Sequence, residues 1–481
     1  MNWMCLPMNK MRKTKIVVTI GPQSLEDGMI EKLNFAGMDI ARLNGSHNSL
    51  EWHRNAIELI RKKAPELPIL IDLPGKKIRT LEVSLDLQIG TRFLLTNNIT
   101  VISDVPMVGT NYPDLASAIK VGTIFYADDG TLKFQVIDSS KNGILCESLS
   151  IGTLKSKKGL NFPQELLDIP PVRERDIALL ELINNAKIDL VGISFVNSAS
   201  EVIAIKKLLA NSATKCVSKI ETQHGIDNLA EIVNVSDLVM IDRGDLSVET
   251  SLPMISVNQK YILEISNKFN CPVIVATEVL TSMILNQQPT KAEISDITNA
   301  VLDGASAIML SGETAIGNFP LECITTMHEV ILATEEHSQN NKSNFSLQEF
   351  SKVSDDSIHD ALLLTLAELS KQKEISKLVL VIKHGFAAKK LSTLNLHLNI
   401  LAVSNNVEVV RFLNALHGVS GVLLEQEFLS TGTDHFVSIL KELKSQSVLE
   451  LEDVVAIAGI TYPKTKTRLN TLAIYRMSDL L

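Results

Sequence analysis

The chain has 481 residues, which is too long for a single hydrophobic core, so two or three domains are expected. Hydrophobic residues make up 45% of it and charged residues 21%, a balance that is typical of globular enzymes and excludes a disordered chain. The net charge of −9 argues against general nucleic-acid binding, so we expect no nucleic-acid partner, although a local basic cleft for phosphates stays open.

Cysteines and apolar runs indicate the cellular compartment. No CxxC pair occurs, and the cysteines are expected to be buried free thiols in a reducing compartment, at Cys5, Cys146, Cys216, Cys271 and Cys323. No apolar run approaches the ~20 residues that span a bilayer, so we expect no membrane association and a cytoplasmic location. Residues 1–10 lack the apolar run of a signal peptide and are interpreted as a short tail, with Met11 as a second candidate start.

Short apolar runs alternate with helix-length segments through the first two thirds of the chain. The runs lie at residues 15–20, 39–43, 68–73, 189–195, 214–220, 237–241, 272–277 and 305–310. Amphipathic helices are predicted at 25–35 and 50–63. Continuous apolar strands interleaved with helices predict a parallel sheet, and eight of them predict a (β/α)8 TIM barrel of class α/β, formed by residues 11–80 and 164–340.

Two further regions interrupt or follow this pattern. Residues 80–162 carry short alternating runs and the turn signals DDG at 128–130 and KNG at 141–143, which predict a small β-barrel domain inserted at 81–163. After a polar connection at 335–356, the βα pattern restarts at 378–382, 400–403, 419–424 and 454–458, with a last strand near 472–475. We therefore predict a C-terminal open α/β sheet domain at 355–481.

Polar residues follow the predicted barrel strands, where barrel active sites are built. Lys219 and Glu221 end the fifth strand, and Asp245 follows the sixth. A lysine with two separated carboxylates can hold a divalent metal and a phosphorylated anion. Each residue also has a structural explanation alone: Lys219 as a snorkelling lysine, Asp245 as a helix cap. The repetition at strand after strand favours a site.

Several of these segments resemble pyruvate kinases. The matching stretches are 12–24 (RKTKIVVTIGPQS), 42–47, 71–79, 128–130, 156–163 (SKKGLNFP), 218–225, 242–246, 272–283 and 289–317. The resemblance is close over the barrel and the insert and weaker beyond residue 350. It implies transfer of the phosphoryl group of phosphoenolpyruvate to ADP, giving pyruvate and ATP in glycolysis, and a homotetramer.

The resemblance also implies roles for individual residues. Glu221 and Asp245 would hold Mg²⁺ or Mn²⁺, and Lys219 would stabilise the moving phosphoryl group and the enolate oxygen. The Thr277 hydroxyl would pass a proton to the enolate carbon, through water. Substrate binding would use Arg42, with Arg79 nearby, the backbone around Gly244 and Asp245, and Thr277. Nucleotide binding would use Pro22, Asn44, His47 and Lys158, with the insert closing as a lid.

Lys77 departs from the usual pattern in a way that bears on K⁺. K⁺-requiring members have a glutamate at this position, and the lysine goes with members that need no K⁺. A tethered ammonium can supply the charge of a bound K⁺, so we expect K⁺ not to be required. The positions of the usual K⁺ site are Asn44, Ser46, Asp72 and Leu73, where Leu73 replaces threonine.

Other departures concern carboxylates and effectors. Asp242 replaces alanine and Glu278 replaces glutamine, and both would repel an anionic substrate unless a metal or lysine screens them. The effector loop at 383–388 (KHGFAA) lacks the hydroxyls that cradle a sugar phosphate, whereas 461–467 (TYPKTKT) keeps hydroxyls and lysines. We therefore expect a phosphorylated effector other than fructose 1,6-bisphosphate, or none.

Two alternatives remain open from the sequence. One is another metal-dependent barrel acting on phosphoenolpyruvate or pyruvate, such as an aldolase or lyase, which would not require the inserted β domain. The other is a catalytically degraded pyruvate kinase paralogue with a regulatory role. Retention of Lys219, Glu221, Asp245 and Thr277 argues against the second.

Overall fold

The computed structural model of the protein describes residues 12–98, 103–112, 115–163, 169–170, 172–340, 357–394, 396, 398–425, 434–461 and 469–480. The predicted tail at 1–10 and most of the loop at 461–467 lie outside these residues. The strands are β1 (Lys15–Thr19), β2 (Ile40–Asn44), β3 (Ile69–Leu73), β4 (Ile78–Arg79), β5 (Ser84–Leu87), β6 (Arg92–Thr96), β7 (Met107–Gly109), β8 (Ile124–Ala127), β9 (Leu132–Ser140), β10 (Gly143–Ser148), β11 (Gly152–Lys155), β12 (Gly159–Asn161), β13 (Leu190–Ile193), β14 (Lys215–Ile220), β15 (Leu238–Asp242), β16 (Val273–Ala276), β17 (Ala307–Leu310), β18 (Lys377–Val381), β19 (Ile400–Ser404), β20 (Val419–Leu423), β21 (Val454–Thr461) and β22 (Leu469–Arg476).

The helices alternate with these strands. They are α1 (Met29–Ala36), α2 (Leu50–Lys63), α3 (Leu115–Ala118), α4 (Glu174–Asn185), α5 (Ala199–Leu208), α6 (Gln223–Asp227), α7 (Leu229–Val235), α8 (Arg243–Glu249), α9 (Ile255–Lys268), α10 (Lys291–Leu302), α11 (Gly312–Ala315), α12 (Pro320–Asn340), α13 (Ser357–Leu369), α14 (Phe386–Ser392), α15 (Val407–Asn414) and α16 (Asp434–Ser445). Within the described ranges, no helix is both long and apolar enough to cross a membrane.

Eight parallel strands close into a barrel in the order β1, β2, β3, β13, β14, β15, β16, β17. The closure is made by β1 and β17, which pair from Lys15 with Ala307 to Val18 with Leu310. Helices connect most successive strands, as a parallel sheet requires. The predicted (β/α)8 TIM barrel is confirmed.

The pleat of the strands decides which side chains enter the barrel. In β1, Val17 packs with the barrel interior, whereas Ile16 and Val18 pack against the surrounding helices. In β14 and β15, Val217 and Met240 belong to the same interior cluster. Because side chains alternate with a period of two, the residues two positions further along these strands also point inward, at the carboxyl end.

The first helix differs from its prediction. The sequence pattern predicted a helix at 25–35, but a short 3-10 turn covers Gln23–Leu25 and α1 begins only at Met29. Gly28 separates the two with a φ of 73°, a left-handed conformation that glycine adopts without steric cost. The second helix has its predicted bounds, and its cap is Ser49, which accepts from the Trp52 N–H at 3.1 Å.

The insert between β3 and β13 is the predicted small β barrel. Seven of its strands form one sheet in the order β4, β12, β8, β9, β10, β6, β7, and β5 pairs with β11. The two edges of the large sheet meet, because Thr80 and Thr110 form a bridge and the Leu81 N–H donates to the Gly109 carbonyl at 2.8 Å. Edge pairing of this kind closes the sheet.

The C-terminal sheet is open, as predicted, with the order β20, β19, β18, β21, β22 and an antiparallel last strand. Its domain packs against the amino-terminal end of the barrel. Lys13 Nζ donates to the Leu396 carbonyl at 2.6 Å, and Lys15 Nζ donates to the Val419 carbonyl at 2.8 Å. The four described cysteines are buried free thiols, at Cys146, Cys216, Cys271 and Cys323, as expected.

Candidate active site

Lys219 lies at the centre of the polar cluster at the carboxyl end of the barrel. Its Nζ is 2.7 Å from Glu221 Oε1, 3.0 Å from Asp242 Oδ2 and 3.7 Å from Asp72 Oδ2. It also donates to Ser194 Oγ at 3.3 Å. Burial lowers the pKa of this lysine, but the three carboxylates outweigh burial and raise the pKa well above its usual value. The ammonium is therefore a permanent positive charge.

Three carboxylates form a group that can hold a divalent cation. One oxygen each from Glu221, Asp242 and Asp245 lies within 4.8 Å of the others. Oxygen ligands of this kind suit Mg²⁺ and Mn²⁺. Burial together with the neighbouring carboxylates raises the pKa of Glu221, as expected where like charges crowd a site without a cation. The residues present therefore fit the metal that the resemblance implies, with Asp242 lying beside the predicted pair.

Each of these carboxylates has protein partners that fix it. The Phe195 N–H donates to Glu221 Oε2 at 2.5 Å. Lys77 Nζ donates to Asp245 Oδ1 at 2.5 Å and lies 3.8 Å from Asp129 of the insert. The charge that replaces the family's glutamate is thus paired with a predicted metal ligand. Neither Lys76, which pairs with Glu201, nor Lys77 forms an ion pair with Asp242 among the described contacts.

Thr277 and Gly244 meet at the end of β16 and the start of α8. The Gly244 N–H donates to Thr277 Oγ1 at 2.9 Å, and this hydroxyl lies 2.6 Å from the Ala276 carbonyl. Thr277 has a φ of 66° and Glu278 a φ of 53°, both in the left-handed region that non-glycine residues rarely adopt. Arg243 stabilises this bend by donating to the Thr277 carbonyl at 2.8 Å. Strain of this kind clusters at functional sites.

Arg42 lies on the other side of the cluster. It donates from Nε and Nη2 to Asp72 Oδ2, at 3.0 and 2.8 Å, and from Nη1 to Thr19 Oγ1 at 3.0 Å. At the predicted K⁺ positions, Asn44 Oδ1 accepts from the Ser46 N–H at 3.1 Å, and Leu73 offers only its backbone carbonyl. One of the two Asp72 oxygens, Oδ2, is therefore already paired with a guanidinium.

The predicted nucleotide and phosphate residues are spread around the rim. Arg79 donates to the Lys157 carbonyl at 3.0 Å. Burial lowers the pKa of His47, and the positive charges of Arg79 and Arg42 lower it further, so these three groups share one region. Lys158 pairs with Asp128, within the insert, at 2.6 Å. Pro22 is exposed and precedes the 3-10 turn after β1.

The insert contacts the helix that carries Gly244 and Asp245. Asn161 Nδ2, from β12, donates to Glu249 Oε1 at 2.8 Å and lies 3.5 Å from Asp245 Oδ1. Burial, with the negative charge of Asp245, raises the pKa of Glu249 to about 7 against the opposing effect of the Asn161 hydrogen bond. The side-chain amide of Asn161 therefore connects the insert to Glu249 in the last turn of α8 and to Asp245 in the site.

The sequence did not predict that Asn161, Glu249 and Ser194 belong to the site, and it indicated Asp242 only as a departure from the family pattern. A signal for Asp242 was present: it follows the interior residue Met240 by two positions, so the pleat directs it into the barrel beside Lys219. No comparable local signal exists for Asn161 and Glu249, because their contact depends on how the insert packs on the barrel.

Comparison with known proteins agrees with this geometry. The family descriptions "Pyruvate kinase, barrel domain" and "Pyruvate kinase, alpha/beta domain" match residues 11–324 and 360–475. Pyruvate kinases of Staphylococcus aureus strains bovine RF122 / ET3-1 and USA300 are both 34% identical to the chain, over 98% of its length and 81% of theirs. The chain therefore belongs to the pyruvate kinase family of phosphotransferase enzymes.

Proposed function

We propose that the chain transfers the phosphoryl group of phosphoenolpyruvate to ADP and protonates the resulting enolate, and that it does so without K⁺. The observation that carries this proposal is the position of Lys219 Nζ between Glu221, Asp242 and Asp72. A buried ammonium beside a carboxylate group that fits a divalent cation supports transfer of a doubly charged group. Phosphoryl transfer depends mainly on positioning and charge neutralisation.

The charges at the site favour a divalent cation. Four carboxylates (Asp72, Glu221, Asp242 and Asp245) surround three cationic side chains (Arg42, Lys77 and Lys219), so the formal charge of the group is −1. Glu221 and Asp245 would hold Mg²⁺ or Mn²⁺, which supplies charge neutralisation for the phosphoryl oxygens when bound. A divalent ion turns the formal charge to +1, which suits an anionic substrate.

The chain's own residues divide the reaction between them. Arg42 binds the phosphoryl group, with Arg79 nearby, and Lys219 stabilises the negative charge as the phosphorus–oxygen bond of the enol breaks and a bond to the ADP oxygen forms. The backbone around Gly244 and Asp245 orients the substrate carboxylate. The enolate then takes a proton at its terminal carbon by way of the Thr277 hydroxyl and water, which gives pyruvate.

Lys77 supports independence from K⁺. Its ammonium lies 2.5 Å from Asp245 and 3.8 Å from Asp129, so a fixed monovalent charge is already present between barrel and insert. A second monovalent cation in the same region would be repelled. The site thus carries its own equivalent of a K⁺ charge.

The direct test is ATP formation from phosphoenolpyruvate and ADP with Mg²⁺, in a buffer free of Na⁺ and K⁺. We expect turnover, with a change of no more than about threefold on adding K⁺. Lys219→Met should lower kcat by at least about a thousandfold, since the charge acts directly on the transferred group. Absence of ATP formation would support the degraded paralogue or an aldolase-like barrel, and a many-fold K⁺ response would refute the K⁺ part alone.

We further propose that the chain forms a homotetramer in the cytoplasm. An exposed apolar row on the 3-10 turn and helix before β16 supports self-association. It consists of Leu252, Met254, Val257 and Tyr261, which are 74%, 43%, 54% and 45% exposed. Rows of this kind mark interaction surfaces. Light scattering during size-exclusion chromatography measures the assembly, and Val257→Glu should reduce its mass.

A further inference from the structure

Asp242 has a contact pattern that the roles above do not use. It ends β15 beside Ala276 of β16, is 6% exposed, and does not cap the helix that follows it. Its Oδ2 lies 3.0 Å from Lys219 Nζ, and its Oδ1 lies 3.2 Å from Thr277 Oγ1. The Asp242 carboxylate thus connects two groups with assigned roles. One is the Lys219 ammonium, which stabilises the phosphoryl group and the enolate, and the other is the Thr277 hydroxyl, which delivers the proton.

The hydroxyl of Thr277 has a choice of acceptors. Its oxygen already accepts from the Gly244 N–H, so its single hydrogen goes either to the Ala276 carbonyl or to Asp242. The Ala276 carbonyl belongs to a strand and therefore lies in the barrel wall. Asp242 lies on the interior side, beside Lys219, so a hydrogen bond to Asp242 turns the hydroxyl towards the reaction.

We propose that Asp242 is a positioning residue for proton delivery, which holds the Thr277 hydroxyl and the Lys219 ammonium in one arrangement. The inference rests on the proposed function. In the forward direction a proton reaches the enolate carbon, and in reverse the same path removes a proton from the pyruvate methyl group. Asp242 neither gains nor loses a proton in this scheme; it orients the group that does.

A role as a third metal ligand is the competing explanation, because an Asp242 oxygen lies within 4.8 Å of oxygens of Glu221 and Asp245. The contacts favour positioning, since Asp242 is, among the described contacts, the one member of this carboxylate group that lies within hydrogen-bond distance of the Thr277 hydroxyl. By contrast, Asp245 belongs to the next helix, and its partners within the described residues, Lys77 and Asn161, reach only Oδ1. The two explanations differ in what the loss of Asp242 does to metal affinity.

The test measures proton transfer separately from phosphoryl transfer. Exchange of the pyruvate methyl hydrogens with D₂O is followed by NMR at saturating Mg²⁺ and ATP, and Mn²⁺ affinity is measured by electron paramagnetic resonance. We expect Asp242→Ala and the similarly shaped Asp242→Asn each to lower exchange by about tenfold or more, with Mn²⁺ affinity within about threefold of the wild type. Exchange that stays within about twofold, or rises, overturns the proposal, and so does an equal loss of Mn²⁺ affinity.

Two controls sharpen this result. Glu278→Gln removes a nearby negative charge whose side chain is exposed, and exchange should stay within about threefold; a loss equal to that of Asp242→Ala would make charge alone the cause and overturn the proposal. In a Thr277→Ala background, adding Asp242→Ala should lower the residual exchange by less than about threefold, because both residues act through one hydroxyl.

The same experiment separates this inference from the proposed function. Wild-type protein that forms ATP from phosphoenolpyruvate and ADP upholds the proposed function whatever the Asp242 variants do. A wild-type protein that forms ATP but does not exchange the methyl hydrogens overturns the inference alone, because no reversible proton delivery would then exist for Asp242 to position.

Discussion

At the scale of single residues, two substitutions distinguish this site from the family pattern. Lys77 replaces a carboxylate with an ammonium, and Asp242 replaces a methyl group with a carboxylate, so the two departures carry opposite charges. They do not contact each other: Lys77 pairs with Asp245, and Asp242 pairs with Lys219. In the family pattern, the glutamate, the alanine and a bound K⁺ ion together carry no net charge. Lys77 and Asp242 together also carry none, so the two departures leave the net charge of the cluster unchanged without K⁺.

The Lys77 ammonium can be tested by its removal. Lys77→Met keeps the aliphatic stem but leaves Asp245 without its 2.5 Å partner, so we expect kcat in K⁺-free buffer to fall by about tenfold or more, with partial recovery on adding K⁺. The matched control is Lys76→Met, because the Lys76 side chain is 9% exposed against 12% for Lys77 but pairs with Glu201 on α5. Equal losses in both variants would contradict the assigned role.

A substitution at Gly159, which belongs to the insert, gives a second test of the Lys77 ammonium. A Cβ built at this position would lie 2.2 Å from Lys77 Cε and 3.1 Å from Nζ. Because the end of a lysine side chain can move, Gly159→Ala should displace the ammonium from Asp245 while changing the midpoint of thermal unfolding by only a few degrees. We expect kcat to fall as in Lys77→Met; unchanged kinetics would show that the side chain relocates without consequence.

How far the site could be predicted depends on the residue. Lys219, Glu221 and Asp245 follow apolar strands, and the structure brings all three together at one rim. The pairing of Arg42 with Asp72 could also follow from strand parity, because both occupy inward positions of adjacent strands. The partner of Lys77 could not be predicted, because the position of Lys77 depends on a loop conformation set by Gly75, whose φ is 62°.

At the scale of elements, the insert packs on helix α8 of the barrel. Asn161 reaches Glu249, and a Cβ on Gly130 would lie 3.1 Å from Val248 Cγ2, so two separate parts of the insert pack on one helix. That helix begins with the backbone assigned to the substrate carboxylate. We therefore expect closure of the insert to act on substrate binding through α8.

Asn161→Ala removes the polar part of this contact. We expect the KM for ADP to rise by about fivefold, since one hydrogen bond to a buried carboxyl group contributes about 1 kcal/mol to the closed form. Steady-state kinetics with varied ADP measure the change. Asn142→Ala is the control, because Asn142 lies in the exposed turn between β9 and β10. A rise in KM for both variants would place the effect outside the contact.

The elements themselves were largely predictable, and the failures have local causes. Continuous apolar runs located all eight barrel strands, because parallel strands are buried on both faces. Helix α1 was predicted four residues too early, because the pattern of apolar residues continues through Gly28, where the backbone turns left-handed. Contacts between separate domains leave no periodic pattern in the sequence, so nothing in the sequence could predict the contact between Asn161 and Glu249.

At the scale of the whole molecule, the C-terminal domain is fixed to the barrel by basic groups. His417 lies near Lys13 and Lys15, which donate to carbonyls of the C-terminal domain. Burial, together with the positive charges of the two lysines, lowers the pKa of His417 to about 3. The interface therefore contains a neutral histidine that resists protonation.

This histidine makes stability depend on pH. The folded pKa is below the unfolded value of ~6.5, so the unfolded chain binds more protons between these values, and the stabilising contribution is present above pH 6.5 and lost as pH falls. From pH 7 to pH 5 the loss should be no more than about 2 kcal/mol. Thermal or denaturant unfolding of His417→Gln should show a shallower loss over this range, whereas exposed His384→Gln should match the wild type.

Barrel closure has a consequence for the order in which the chain acquires structure. The last pair, β1 with β17, joins residues near the two ends of the barrel sequence, and the whole insert lies between them. During synthesis, β1 can pair with β2 early, but its other edge waits for β17 until the ribosome has passed Leu310, whereas every strand of the insert finds its neighbours much earlier. Because contacts between distant residues form slowly, this open edge of β1 is exposed to wrong pairing or chaperone capture in the nascent chain.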